Sequence, residues 1–283
     1  MRFDDQHESP DVIDRRGQTA RGGGGGGVPW LLLNLVGSRF GIGGVVVVLA
    51  GYYGLQMLGG GLNLGGSSSA TAPTRGNDQE KAFVSFVLDD VQSTWTGLMP
   101  GYRKAKLVLF TGRTNTACGM GESATGPFYC PADQRAYIDL SFFQQLSRQL
   151  GAPGDFAQAY VLAHEIGHHV QNLQGTSTKV HRASKSAQKG ANGLSVRLEL
   201  QADCFAGVWA ASTRQKGLLE EGDIEEALTA AGAIGDDTLQ RNSSGTVRPE
   251  TFSHGTSAQR ARWFRRGLEA GRPDACDTFS GAI

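Results

Sequence analysis

A mostly helical α+β domain with a small β-sheet, preceded by a disordered segment and one transmembrane helix, is the architecture the sequence predicts. Three observations carry it. The chain has no charged residue from Phe40 to Thr74. Beyond that stretch, apolar residues recur at helical spacing behind candidate capping boxes. Two short β-prone runs bounded by turn residues, 106–110 and 136–140, supply the sheet.

Composition narrows the function classes. The 283 residues carry 27 basic and 27 acidic side chains, so the net charge is zero and nothing electrostatic favours a nucleic acid partner. The 4 cysteines are too few to scaffold a chain of this size, yet enough for two disulfides.

Residues 1–39 mix charges, show no apolar period and contain a glycine run, which predicts a disordered N-terminal segment. The run FGIGGVVVVLAGYYGLQML follows. Its length matches the roughly 20 residues needed to span a bilayer, so a transmembrane helix is predicted over 40–64. Arg15, Arg16, Arg21 and Arg39 precede it. By the positive-inside rule the N-terminus is then cytoplasmic and the remainder periplasmic or extracellular. A buried core helix and a signal peptide cleaved after Ala70-Thr71-Ala72 are the competing readings. Residues 65–76 read as a flexible linker and 77–283 as the folded domain.

Within the domain, Asn77 with Glu80 predicts a capping box before a helix on which Val84, Val87, Val91, Trp95 and Leu98 share a face, ending at Gly101. Asp155 is placed as the cap of a helix closed by Gly175. A basic loop is expected over 176–192, then a long helix over 194–213. Two further helices start at the pairs Asp223/Glu226 and Thr256/Gln259, both in capping-box form.

The 155–175 helix contains HEIGHH, in which His164 and His168 are four residues apart and therefore on one face. Two neutral imidazoles at that spacing suit zinc, and Glu165 then lies beside the water that the metal acidifies, placed to take its proton. A catalytic zinc takes a third protein ligand. The position a metzincin would use is Gln174, and His181 lies in the basic loop. Glu199 is the better third ligand, because Asp203 stands one helical turn further on, where it can orient a ligand histidine. His169 points about 100° away from His168 and is read as a packing or supporting residue.

The blocks GPFYCPADQRAYIDLSFF, HEIGHHVQ, RLELQADCFAGVW and SHGTSAQRARWF resemble the bacterial putative neutral zinc metallopeptidase family. The resemblance covers nearly the whole chain. From the motif chemistry, one zinc ion per chain and a peptide or protein substrate are expected. More distantly, the order of zincin helix, Glu-x-x-x-Asp helix and late His-to-Arg segment is similar to membrane-tethered gluzincins such as the heat-shock and CAAX proteases. Those have proline after the late histidine, where this chain has Gly255.

The expected function is a membrane-anchored zinc-dependent peptidase. The alternatives are a non-catalytic zinc-stabilised binding or chaperone-like module, in which Glu165 would be idle, and a zinc hydrolase of non-peptide amides. His254 is the candidate donor to the transition-state oxyanion, and the opposing reading makes it a cap of the last helix. Tyr137 and Tyr160 are weaker donor candidates, and Arg260 is a candidate partner of Asp203 or substrate. Disulfides Cys118–Cys130 and Cys204–Cys276 are expected if the domain is exported. The 136–140 strand is considered as an edge that could align a peptide, against a fully paired core strand.

Overall fold

The computed structural model describes residues 1–18 and 75–283. In chain order these form β1 (Val12–Asp14), α1 (Arg75–Leu98), β2 (Lys106–Phe110), β3 (Arg113–Thr116), β4 (Gly119–Glu122), β5 (Phe128–Cys130) and β6 (Arg135–Asp139). Then come α2 (Ser141–Arg148), α3 (Asp155–Leu173), α4 (Thr176–Arg182), α5 (Lys185–Gln188), α6 (Leu194–Gln215), α7 (Asp223–Ala233), α8 (Asp236–Ser244) and α9 (Ser257–Ala270). Mostly helical α+β is thus the observed class. The 40–64 segment lies outside the described residues, among which no helix is long and apolar enough to cross a membrane.

The sheet runs β1-β2-β6-β5, with β1, β2 and β6 parallel and β5 antiparallel to β6. Leu107, Leu109, Ala136 and Ile138 face the helical core, whereas Val108, Phe110 and Tyr137 close over Phe128 on the other face. This alternation is what a strand buried on both faces produces. Two expectations change here. The 136–140 run forms an interior strand, hydrogen-bonded on both sides, so it offers no edge. Disorder does not hold for residues 1–18: β1 is a sheet strand and the chain before it packs on the helices. Phe3 meets Phe83 edge-to-face at 5.0 Å, and Asp11 pairs with Lys106 at 2.6 Å.

The helices pack through small residues. Added Cβ atoms at Gly207 and Gly267 would sit 2.0 Å from the Phe264 carbonyl oxygen and 1.9 Å from that of Cys204, so α6 and α9 touch backbone to backbone. Gly167 does the same more gently for α3 and α6, its Cβ position lying 3.0–3.2 Å from Ala202 atoms. Aromatic contacts fill the rest: Trp95 on Phe205 at 5.0 Å and Phe156 stacked on Trp209 at 5.3 Å.

Capping differs from the sequence expectation in an instructive way. The Thr256/Gln259 box is present in both directions. Helix α1 begins at Arg75, so Asn77 lies inside it. Asp155 and Asp223 are the first residues of α3 and α7 and do not cap them. Their carboxylates accept from the Met1 ammonium at 2.7 and 3.3 Å. The expected loop over 176–192 contains α4 and α5, with Gly175 left-handed ahead of α4. Both expected disulfides are present, with Cα–Cα distances of 5.8 Å for Cys118–Cys130 and 5.6 Å for Cys204–Cys276.

Candidate metal centre

Helix α3 is buried nearly all round, and its sequence HEIGHH lies where α6 crosses it. The crossing can be close because residue 167 has no side chain to hold Ala202 away. That approach brings Glu199 of α6 between the two histidines. Its Oε2 lies 3.2 Å from His164 Nε2 and its Oε1 3.5 Å from His168 Nε2. One donor atom from each of His164, His168 and Glu199 falls within 4.8 Å of the others. Donors about 2.1 Å from a shared tetrahedral zinc stand roughly 3.4 Å apart, so the spacing suits that ion. The donor set, two imidazoles and a carboxylate, is that of a catalytic zinc with an open position.

Both imidazoles are fixed from behind. His164 Nδ1 lies 2.8 Å from Asp203 Oδ1. Asp203 also accepts from Tyr160 Oη at 2.5 Å and takes a bidentate pair of bonds from Arg260, each at 2.9 Å. Burial penalises the Asp203 charge, but Arg260 and His164 outweigh it and hold its pKa down to about 2. It is therefore a carboxylate, and His164 Nδ1 carries the hydrogen that it accepts. His168 Nδ1 donates to Gln171 Oε1 at 2.8 Å, while the Gln171 amide donates to the Leu198 carbonyl at 2.6 Å. In each ring this leaves Nε2, facing Glu199, as the nitrogen whose lone pair the neutral imidazole would offer to a metal.

The charges follow from this packing. Burial opposes protonation of His164, yet Asp203 and Glu199 raise its pKa to about 9. Burial also works against the Glu199 carboxylate, but the two histidines pull its pKa well below the usual range. Glu165 shifts upward, chiefly by burial, with both histidines opposing. A carboxylate made more basic, beside the metal position, can accept a proton near neutral pH.

These residues border a cavity of about 700 Å³ that His254, Tyr129, His181 and Arg260 also line. His254 is half-exposed, and its Nδ1 lies 3.0 Å from Asp236 Oδ1. Asp236 also accepts from the backbone N–H groups of Ser253 and His254, each at 2.7 Å, and so holds the turn. The Asp236 hydrogen bond raises the His254 pKa against the effect of burial. Thr256, and not His254, caps α9. Gly255 has φ 91°, a value closed to proline, so the turn differs from that of the proline-bearing gluzincins.

The structure keeps other candidates apart from the cluster. His169 is fully buried, with Nε2 donating to the Arg103 carbonyl at 2.6 Å and Nδ1 2.8 Å from Tyr129 Oη. It ties β5 to α3. Tyr137 bonds Asp133 at 2.6 Å on the far face of the sheet, and Tyr160 is committed to Asp203. His181 Nδ1 bonds the Ser177 carbonyl at 2.7 Å, outside the three-ligand group. Sequence reasoning missed Gln171 and Asp236. Gln171 had a weak signal, its i, i+3 spacing from His168. Asp236 had none beyond being an acidic residue near a turn.

The sequence profile of the family described as "Putative neutral zinc metallopeptidase" matches residues 1–279. The chain belongs to this family. It is 48% identical to "Uncharacterized protein YpfJ" of Escherichia coli (strain K12) over 296 residues, with 100% of each chain covered. Against "Uncharacterized protein Rv2575" of Mycobacterium tuberculosis (strain ATCC 25618 / H37Rv) it is 49% identical over 205 residues, with 69% of each covered. No solved structure matches.

Proposed function

We propose that this family member is a zinc-dependent peptidase that uses His164, His168 and Glu199 to hold one zinc ion and Glu165 as general base. One observation carries the reading: three donor atoms converge, the Nδ1 of each imidazole is tied back to a neighbouring side chain, and the buried Glu165 lines the same cavity. Zinc bound there would supply Lewis acidity, acidifying water and polarising the scissile carbonyl. Glu165 takes the proton from the attacking water and returns it to the leaving amine. Asp203 holds the His164 ring, and Arg260 keeps Asp203 ionised. His254, oriented by Asp236, donates to the oxygen on which negative charge develops. An extended peptide aligns along β5, which is one of the two edge strands of the sheet among the described residues and whose Phe128 and Tyr129 line the cavity. A purely structural zinc site would have no use for Glu165, which separates this reading from a zinc-stabilised binding module.

The two disulfides suit an oxidising compartment, and we place the domain in the periplasm or outside the cell.

The test is peptide-library cleavage with metal analysis on the full chain and on Glu165→Gln. The variant should keep about one zinc per chain and lose ~10²–10⁴ in kcat. Full activity in Glu165→Gln would remove the mechanism. Cleavage of non-peptide amides alone would move the substrate class.

A further inference from the structure

We propose that residues 1–18 and the 75–283 domain lie on the same side of any membrane that the apolar run 40–58 enters, so that the chain is not a single-pass protein with its ends apart. The inference stands on the described residues and does not depend on the proposed activity.

The N-terminal residues are built into the domain along their whole length. β1 pairs in register with β2, Val12 opposite Leu107, Ile13 opposite Val108 and Asp14 opposite Leu109. The ladder is closed at both ends, by Leu107 N–H to the Asp11 carbonyl at 2.9 Å and Arg15 N–H to the Leu109 carbonyl at 2.8 Å. Asp11, itself buried, accepts from Lys106 at 2.6 Å and from Gln92 at 3.2 Å. Further back, Asp89 of α1 bonds Ser9 at 2.8 Å and His7 at 2.9 Å. Arg2 N–H donates to the Leu218 carbonyl at 2.8 Å, beyond the end of α6. The sheet, α1 and the α6–α7 connection thus all hold this stretch.

The points of departure and return are adjacent. Asp14, at the end of β1, lies 3.9 Å from Lys81 of α1, and Arg16 lies 4.0 Å from Asp78 in the first turn of that helix. Residues 19–74 therefore leave and rejoin one body at neighbouring places. A bilayer core is about 30 Å thick. Groups bonded at 2.6–2.9 Å cannot stand on its two faces. A single crossing by the 40–64 segment would oblige β1 to leave the sheet, and the fully buried Gln92 would lose the Asp11 carboxylate to which it donates. A buried amide left without a partner is costly, and the ladder would lose its backbone bonds too. Crossings between Arg16 and Arg75 must then be even in number. In place of the sequence-based topology, with residues 1–39 cytoplasmic and 77–283 outside, residues 1–18 share one compartment with 75–283.

The test uses the full chain in intact bacterial cells. Glu8→Cys and, separately, Glu221→Cys place a thiol at two exposed positions, one on each side of the segment, while the native cysteines are in disulfides. Each is treated with a membrane-impermeant maleimide before and after permeabilisation. Equal extents of labelling before permeabilisation, whether both high or both near zero, support the inference and also read out the side. Labelling of one position with protection of the other until permeabilisation overturns it. Asp5→Cys, also exposed, repeats the N-terminal measurement if the Glu8 variant is poorly expressed.

Discussion

Among the described residues, two places bring donor atoms of three metal-ligand side chains within 4.8 Å of one another: His164, His168 and Glu199, and Asp155, Asp223 and Glu226. They share helix α3, which starts in the second and carries the first. In the acidic group the oxygens already have partners. Asp155 and Asp223 accept from the Met1 ammonium, and Glu226 accepts from Phe156 N–H at 3.0 Å. In the histidine group the outer nitrogens are tied back to Asp203 and Gln171, leaving the inner nitrogens converging on Glu199. Proximity alone makes no metal site. What differs is whether the second ring atoms and neighbouring amides hold the donors open toward a common point or satisfy them from within.

The sharpest way to break this contrast is metal content. His168→Ala should take zinc from about one per chain to almost none, whereas Asp223→Asn should leave it unchanged, both read by elemental analysis of purified protein. Metal that follows Asp223 would reverse the comparison. Next in size is His254→Ala, which should lower kcat by ~10²–10³ with zinc and melting temperature retained, because its proposed role is to the developing oxyanion. An unchanged kcat ends that role. Gln171→Ala probes the outer tie directly and should weaken zinc affinity by ~10–100-fold, measured by competition with a chelator.

The smallest effect is in pH. In the metal-free domain the His164 pKa rises from 6.5 to about 9, so its pairing adds stability that is fully present below pH 6.5 and is lost as pH rises through about 9. Zinc acts in the opposite sense, since it needs the neutral ring. Zinc uptake at pH 7 should therefore release protons, detectable by calorimetry in buffers of different ionisation enthalpy, and affinity should climb with pH. Uptake without proton release would show that His164 is already neutral.

Much of the histidine group could be read from sequence because helical spacing is local information. His164 and His168, and likewise Glu199 and Asp203, are i, i+4 pairs, and each pair shares a helix face whatever the tertiary fold. Arg260 was also legible as a partner for Asp203. The β1 strand was not. Its three residues, Val12–Asp14, show no period, and the partners that order it lie on β2 and α1. The same reason explains the capping errors. Thr256 and Gln259 serve each other locally, while Asp155 and Glu226 are drawn to groups far along the chain. Strand order is also non-local, so nothing in the 136–140 run distinguishes the interior position that β6 occupies from the edge position of β5.

The contact between residue 167 and Ala202 sets a gauge. It fixes how far the helix bearing the imidazoles stands from the helix bearing the carboxylate, so the bite of the donor set and the helix spacing are one variable. A methyl group at position 167 would meet Ala202 atoms at 3.0–3.2 Å, and the helices would have to part by a few tenths of an ångström. That is comparable to the difference in bond length between one divalent ion and the next, about 2.0–2.2 Å for zinc against 2.3–2.6 Å for calcium. The ion size that the donor set would accept is thereby tied to a packing contact, one residue before His168 and three after His164.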